Sequence, residues 1–236
     1  MMPNPVITIV VVTRGNNPDF TKAAIDSCIA QIDVTSQIIV STVVGDPSVD
    51  IARKLGVELA IDHNPRAHSV RQAFRQLNRA LTIIKGEWFA SISGNDVWLP
   101  TKSIDEIRTC IESKKKVCYS DFLYADMNLS ITGTAKFYPF DYAKLLKGNF
   151  VCDDSTAEWD LLRRFMPYKE EFNNYAWWDL WLRIAKLEPN TFAYNPKPEW
   201  MYRLGPNSRH ARKKADKQMQ MADMADKFKM LKSHGV

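Results

Sequence analysis

Val6-Ile7-Thr8-Ile9-Val10-Val11-Val12, followed at once by Thr13-Arg14-Gly15-Asn16-Asn17, is the stretch on which the fold turns. Seven residues with a single polar member are too uniformly apolar for a strand with one wet face, so they read as a central strand covered on both sides. Pro18, with Asn17 as cap, opens a helix running to about residue 31, with Phe20, Ala24, Cys28 and Ile32 near one stripe. A second strand over 37–44 ends at Gly45-Asp46-Pro47-Ser48, and the short helix after it stops near Gly56. A third strand over 57–61 leads through Asp62-His63-Asn64-Pro65-Arg66 into a helix over 69–84, whose apolar stripe is Val70, Phe74, Leu77 and Leu81.

Residues 88–92 read as another strand, with Ser93-Gly94-Asn95-Asp96 as the turn at its end. Pro100-Thr101-Lys102 opens a helix expected to turn Ile104, Ile107 and Ile111 inward, with Lys114-Lys115-Lys116 favouring its C-terminal dipole. Strands alternating with amphipathic helices predict an α/β fold with a mostly parallel sheet, which takes its ligands beyond the C-terminal strand ends. After Val117-Cys118-Tyr119-Ser120 the rhythm loosens: helices are expected over 141–147 and 155–165, and a much stronger one over 175–187. The last 28 residues read as a polar helix with Met221, Met224, Phe228 and Leu231 along a narrow seam, suited to docking on the domain or on a second subunit.

The 236 residues fit one domain over 1–207 followed by a basic helix over 208–236. The net charge is +5, and Arg209 to Lys232 alone hold eight Lys or Arg against three Asp, so a polyanion or DNA partner would be met through the tail. Cys28, Cys110, Cys118 and Cys152 follow neither metal-finger nor redox spacing and read as buried free thiols. With no bilayer-length apolar run and no basic leader, a soluble cytoplasmic protein is the expectation. Thr13-Arg14-Gly15-Asn16 replaces the glycine fingerprint of dinucleotide-dependent dehydrogenases, which argues against that class.

Five segments, in order, resemble the inverting family-2 glycosyltransferases of the GT-A fold. They are 9–14, 86–92 ahead of the acidic turn, Asp96-Val97-Trp98-Leu99-Pro100-Thr101-Lys102 after it, Trp178-Asp179-Leu180-Trp181-Leu182-Arg183, and Tyr202-Arg203. The resemblance covers roughly residues 6–208. It implies a three-layer α/β/α sandwich with a C-terminal helical extension, and transfer of a sugar from a nucleoside diphosphate to an acceptor hydroxyl with inversion. A leaving diphosphate develops negative charge and wants a cation beside it, and a hydroxyl nucleophile wants a carboxylate on the opposite face.

On this resemblance Asp96 matches the last carboxylate of the family's acidic turn and is expected to reach Mn²⁺ or Mg²⁺. Asn95 stands where a further acid is usual, and His210 is a candidate to complete the metal site. The family's Glu-Asp pair, which holds its presumed base, is replaced here by Ala176-Trp177. Asp179, Asp153 or Asp154 is left to supply that carboxylate, while Asp179 with Arg183 four residues on also reads as a plain helix ion pair. For the nucleotide the candidates are Thr13, Arg14, Thr42, Asp46, Arg66 and Arg71; Asp46 equally reads as a helix cap. Trp177, Trp178 and Trp181 read either as a sugar-stacking wall or as core. Two alternatives stand beside the metal-dependent transferase: a catalytically impaired binding or scaffold protein of the same fold, and a glycosyltransferase that modifies DNA bases.

Overall fold

A computed structural model describes residues 5–64, 71–205 and 216–235. The first half runs β1 (Val6–Val12), α1 (Pro18–Ile29), β2 (Thr35–Val43), α2 (Ser48–Leu55), β3 (Glu58–Asp62), α3 (Arg71–Ala80) and β4 (Trp88–Ser93). Then come β5 (Val97–Trp98), α4 (Lys102–Ser113), β6 (Val117–Ala125), β7 (Ile131–Ala135), α5 (Tyr142–Lys147), β8 (Thr156–Glu158) and α6 (Trp159–Leu162). The chain closes with a 3-10 segment (Glu170–Tyr175), α7 (Ala176–Leu187), β9 (Phe192–Arg203) and a C-terminal helix, α8 (Lys217–Ser233).

β1 is central as its sequence requires: it pairs in parallel with β2 on one side and β4 on the other, and β3 extends the sheet beyond β2. Ile7, Ile9 and Val11 join one core cluster with α1 and α4, whereas Val10 joins the opposite cluster with α3 and α7. Helices therefore cover both faces. Gly86 lets the strand ahead of the site lie against β1, because a Cβ there would meet the Thr8 backbone nitrogen at 2.4 Å.

Past β4 the sheet is mixed, and the expectation of a mostly parallel sheet holds for only one half. The order is β3-β2-β1-β4-β8-β6-β9-β5, with β7 on β6. β9 runs parallel to β6, but β8 is antiparallel to β4 and β6, β7 to β6, and β5 to β9. These antiparallel strands arrive by turns and loops, which impose no helical crossover. The helix expected over 155–165 is instead β8 followed by the short α6. Thr156 and Ala157 are buried there, bridging β4 and β6.

Other departures are local. Ile111 is 60% exposed, because α4 turns Ile104, Ile107 and Cys110 inward and leaves Ile111 behind that row; Ile32 lies past the end of α1 and is also exposed. β9 escaped the sequence reading because Pro196 and Pro198 interrupt its pattern, and its register against β6 shifts there. Cys28, Cys110 and Cys118 are buried thiols, and Cys152 is half-buried.

The C-terminal helix packs on the 3-10 segment, and of the expected seam only Leu231 packs against the core. Met230 is fully buried in the core and Asp223 nearly so, whereas Met221, Met224 and Phe228 face outward. Among the described residues no helix is long and apolar enough to cross a membrane.

Candidate active site

A cleft of about 660 Å³ opens at the C-terminal ends of β1 and β4. Val12, Thr13, Arg14 and Asn16 line one wall, and Gln72, Phe74 and Gln76 of α3 continue it. Ser91, Ser93 and Asn95 form the floor, Asp153 and Asp154 the acid side, and Asn174, Trp177 and Met219 the remaining rim.

The first wall is fixed by buried polar contacts. Thr13 donates its backbone N–H to Ser41 O at 3.1 Å, and Gln76 Nε2 donates to Thr13 O at 2.9 Å. The loop after β1 is tied to the loop after β2, where Gly15 N–H donates to Asp46 Oδ2 at 2.6 Å. The other Asp46 oxygen accepts from Ser48 N–H at 2.9 Å and from Ser48 Oγ at 2.6 Å, so this carboxylate acts as a loop tie and a turn brace. Thr42 is fully buried, shares a hydroxyl–hydroxyl hydrogen bond with Ser48 at 2.8 Å, and does not line the cleft.

Asp62, which the sequence reading passed over, anchors α3. Its buried carboxylate accepts from Gln72 Nε2 at 2.7 Å and pairs with Arg75 at 2.9 Å and Arg79 at 3.4 Å. Burial pushes its pKa up, but these donors and the Asn64 N–H outweigh that and hold it below the usual carboxylate range. The signal was an acid at the end of an apolar strand, ahead of a helix with basic residues four apart.

The acidic turn is held just as firmly. A Cβ on Gly94 would stand 2.9 Å from Thr13 Cβ, so glycine lets the turn approach the loop after β1. Asp96 is 4% exposed, and its Oδ1 accepts from the Arg203 backbone N–H at 2.9 Å. The Arg203 side chain donates through Nε to Asn95 O at 2.8 Å and lies over the Phe20 ring at 4.0 Å. Burial raises the Asp96 pKa to about 8, with the nearby Asp153 charge adding to the effect.

Asp153 and Asp154 divide the acid side. Asp154 is buried, and its Oδ2 accepts from Trp98 Nε1–H at 3.0 Å. Burial first, then the charges of Asp153 and Asp96, push its pKa well above the ordinary value. Asp153 is exposed to solvent at the cleft, and partial desolvation there raises its pKa as well. Behind Trp98 the fully buried Lys102 ammonium lies 4.1 Å from the indole centre and pairs with Glu106 at 2.8 Å. Glu106 also accepts from Ser120 Oγ at 2.7 Å and Thr156 N–H at 3.0 Å, so the buried ion pair is fully hydrogen-bonded.

Asp179 lies elsewhere. It is fully buried in α7, pairs with Arg183 at 2.8 Å, His234 at 2.9 Å and Lys169 at 3.5 Å, and does not line the cleft. Burial raises its pKa, but the His234 hydrogen bond and the Arg183 and Lys169 charges more than reverse that and hold it low. A carboxylate so stabilised in its charged form is a weak base. Of the tryptophans, Trp177 lines the cleft, Trp178 donates Nε1–H to Leu145 O at 2.8 Å, and Trp181 is wholly core. Thr13, Arg14, Asn95, Asp153 and Asp154 thus share one cleft with Asp96 just behind it. Arg71 opens α3, while Arg66 and His210 lie outside the described residues.

Among the described residues, no group of three or more His, Cys, Asp or Glu side chains is arranged to hold a metal ion. What the turn offers a cation is partial: one Asp96 oxygen is taken by Arg203 N–H, and Asn95 stands beside it. These are oxygen donors of the kind hard cations accept.

No protein-family model matches the chain, and no curated protein matches it either. Solved structures do match in fold. S. aureus TarS 1–349 in complex with UDP aligns with a TM-score of 0.65 at 14% identity, over 84% of this chain and 61% of that one. The same TarS 1–349 in complex with UDP-GlcNAc gives 0.65 at 13% identity, over 87% and 60%. A longer S. aureus TarS structure gives 0.62 at 12% identity, over 85% and 37%, so this chain spans between about a third and three fifths of the chains it matches. At these identities the likeness establishes a shared α/β fold.

Proposed function

We propose that the protein is a glycosyltransferase of GT-A-like architecture that moves a sugar from a nucleoside diphosphate to an acceptor hydroxyl. The observation that carries this reading is a single cleft lined by Thr13, Arg14 and Asp153 together, at the strand ends where α/β sheets bind ligands. The fold shared with TarS, a protein whose structures hold UDP and UDP-GlcNAc, supports it and favours a uridine nucleotide.

In this reading Arg14 faces the diphosphate, where a guanidinium fork suits phosphate oxygens. The backbone of the 93–96 turn sets the position of the sugar phosphate. Asp153 takes the proton of the acceptor hydroxyl: it is the cleft-facing acid, and its raised pKa makes it a stronger base than an ordinary aspartate. Inversion requires that this acid assist the attack from the sugar face away from the departing diphosphate. Asp154, held by Trp98, fixes the backbone beside Asp153. Trp177 occupies the place where the family resemblance puts an acid, which moves the base role across the cleft. Asp96 and Asn95 are the residues that would hold Mn²⁺ or Mg²⁺; a cation there supplies a Lewis acid for the departing diphosphate.

Calorimetric titration with UDP and GDP, with and without Mn²⁺, tests the reading. UDP binding that Mn²⁺ strengthens, and that weakens in Asp96→Ala, is the expected result. Absence of nucleotide binding under every cation condition would reject it.

A further inference from the structure

The C-terminal helix reaches the cleft. Met219 lines it, and two aspartates one turn apart on α8 grip three consecutive residues ahead of α7. Asp226 Oδ2 accepts from Asn173 Nδ2 at 2.6 Å; Asp223 accepts from Asn174 Nδ2 at 3.3 Å and from the Tyr175 hydroxyl. Asn173 sits at φ 49°, ψ −123°, a backbone conformation that a non-glycine residue holds only when its surroundings fix it.

The Asp223 contact decides which way the Asn174 amide faces. A carboxylate only accepts, so the group turned to Asp223 is the NH₂, and the carbonyl oxygen faces away from it. Among the described residues that oxygen makes no hydrogen bond, and Asn174 lines the cleft. Trp177 and Met219 flank it with apolar surface. The Asp223 carboxylate behind the amide makes this rim poorly suited to anions and receptive to neutral O–H donors.

We propose that Asn174, turned by Asp223 of α8, binds a hydroxyl of an uncharged polyol acceptor whose C–H face rests on Trp177 and Met219. This rests on the transferase reading, and Asp223 acts as a positioning residue. Helix α8 is then a wall of the acceptor subsite as well as an appendage.

The test is saturation-transfer NMR with glycerol and methyl glucoside as probes, UDP being present, on the full chain and three variants. Wild type should transfer saturation to the probes, and Asn174→Ala should bind them about tenfold more weakly, the loss of one hydrogen bond. Asp223→Ala should behave like Asn174→Ala, whereas Asp226→Ala, which removes a contact of Asn173 but leaves the Asn174 amide held, should retain the signal. No saturation in wild type, equal signals in Asn174→Ala, or an Asp226→Ala loss matching that of Asp223→Ala would overturn the proposal. UDP affinity, read separately by calorimetry, should be the same in all four proteins. Its absence in wild type would mark failure of the transferase reading, while the probe signals still decide Asn174.

Discussion

The indole N–H of Trp98 donates to Asp154 Oδ2 at 3.0 Å, and the Lys102 ammonium lies against the opposite side of the same ring system, 4.1 Å from its centre. A cation on the ring face draws electron density from the indole and strengthens its N–H as a donor. Asp154 is thereby fixed in place, and Asp153, one residue earlier, is left as the acid that meets ligand.

That division gives the first prediction. Asp153→Asn should reduce turnover with a UDP-sugar by about 10²–10⁴-fold, the range for loss of a general base. UDP affinity should hold or rise, since a negative charge near the diphosphate is removed. Steady-state kinetics beside calorimetry checks both, and a variant with near-normal turnover would remove Asp153 from the mechanism.

Asp179 should behave oppositely. Asp179→Ala leaves Arg183, Lys169 and His234 without their shared partner, and breaking a buried pair of this kind costs about 3–5 kcal/mol. Urea unfolding should show that loss, while turnover per folded molecule stays within about twofold, because a residue outside the cleft removes no chemistry.

Glu199 supplies a pH test away from the site. It is 2% exposed, and burial, partly offset by the Asn195 hydrogen bond, raises its pKa to about 7. The folded protein therefore binds this proton more tightly than the unfolded chain. Its contribution is complete below the ordinary glutamate value and lost as pH rises toward 7. Glu199→Gln should match wild type near pH 4 and exceed it at pH 8 by up to about 3 kcal/mol, as denaturation at the two pH values would show.

Gly94→Ala tests the closeness of the two cleft walls. The added methyl would stand 2.9 Å from Thr13 Cβ and 3.1 Å from Asn16 Nδ2, so the acidic turn must move away from the loop after β1. UDP affinity should fall on the order of ten- to a hundredfold with the melting temperature little changed. Unaltered affinity would mean that the nucleotide does not depend on that approach.

The sequence by itself determined the half of the fold where periodicity is strong. The apolar run 6–12 could only be a strand covered on both faces, and the stripes of α1 and α3 assigned each helix a buried side. It also put the loops after β1 and β4 at the ligand-binding edge of a parallel sheet, though the structure alone showed that β4 lies next to β1. What it could not determine was pairing between residues far apart. Asp153 and Asp179 are alike as aspartates in polar company; one faces an open cleft and the other is enclosed by Arg183, Lys169 and His234, a difference made by where α7 and α8 pack. Likewise the seam of Met221, Met224, Phe228 and Leu231 looked like the docking face of the last helix, yet only Leu231 of it packs, beside Asp223 and Met230. Periodicity records which residues share a face, whereas the choice of face rests on hydrogen-bond partners such as Asn174 and Tyr175, 49 and 48 positions from Asp223 along the chain, which only the folded chain brings into reach.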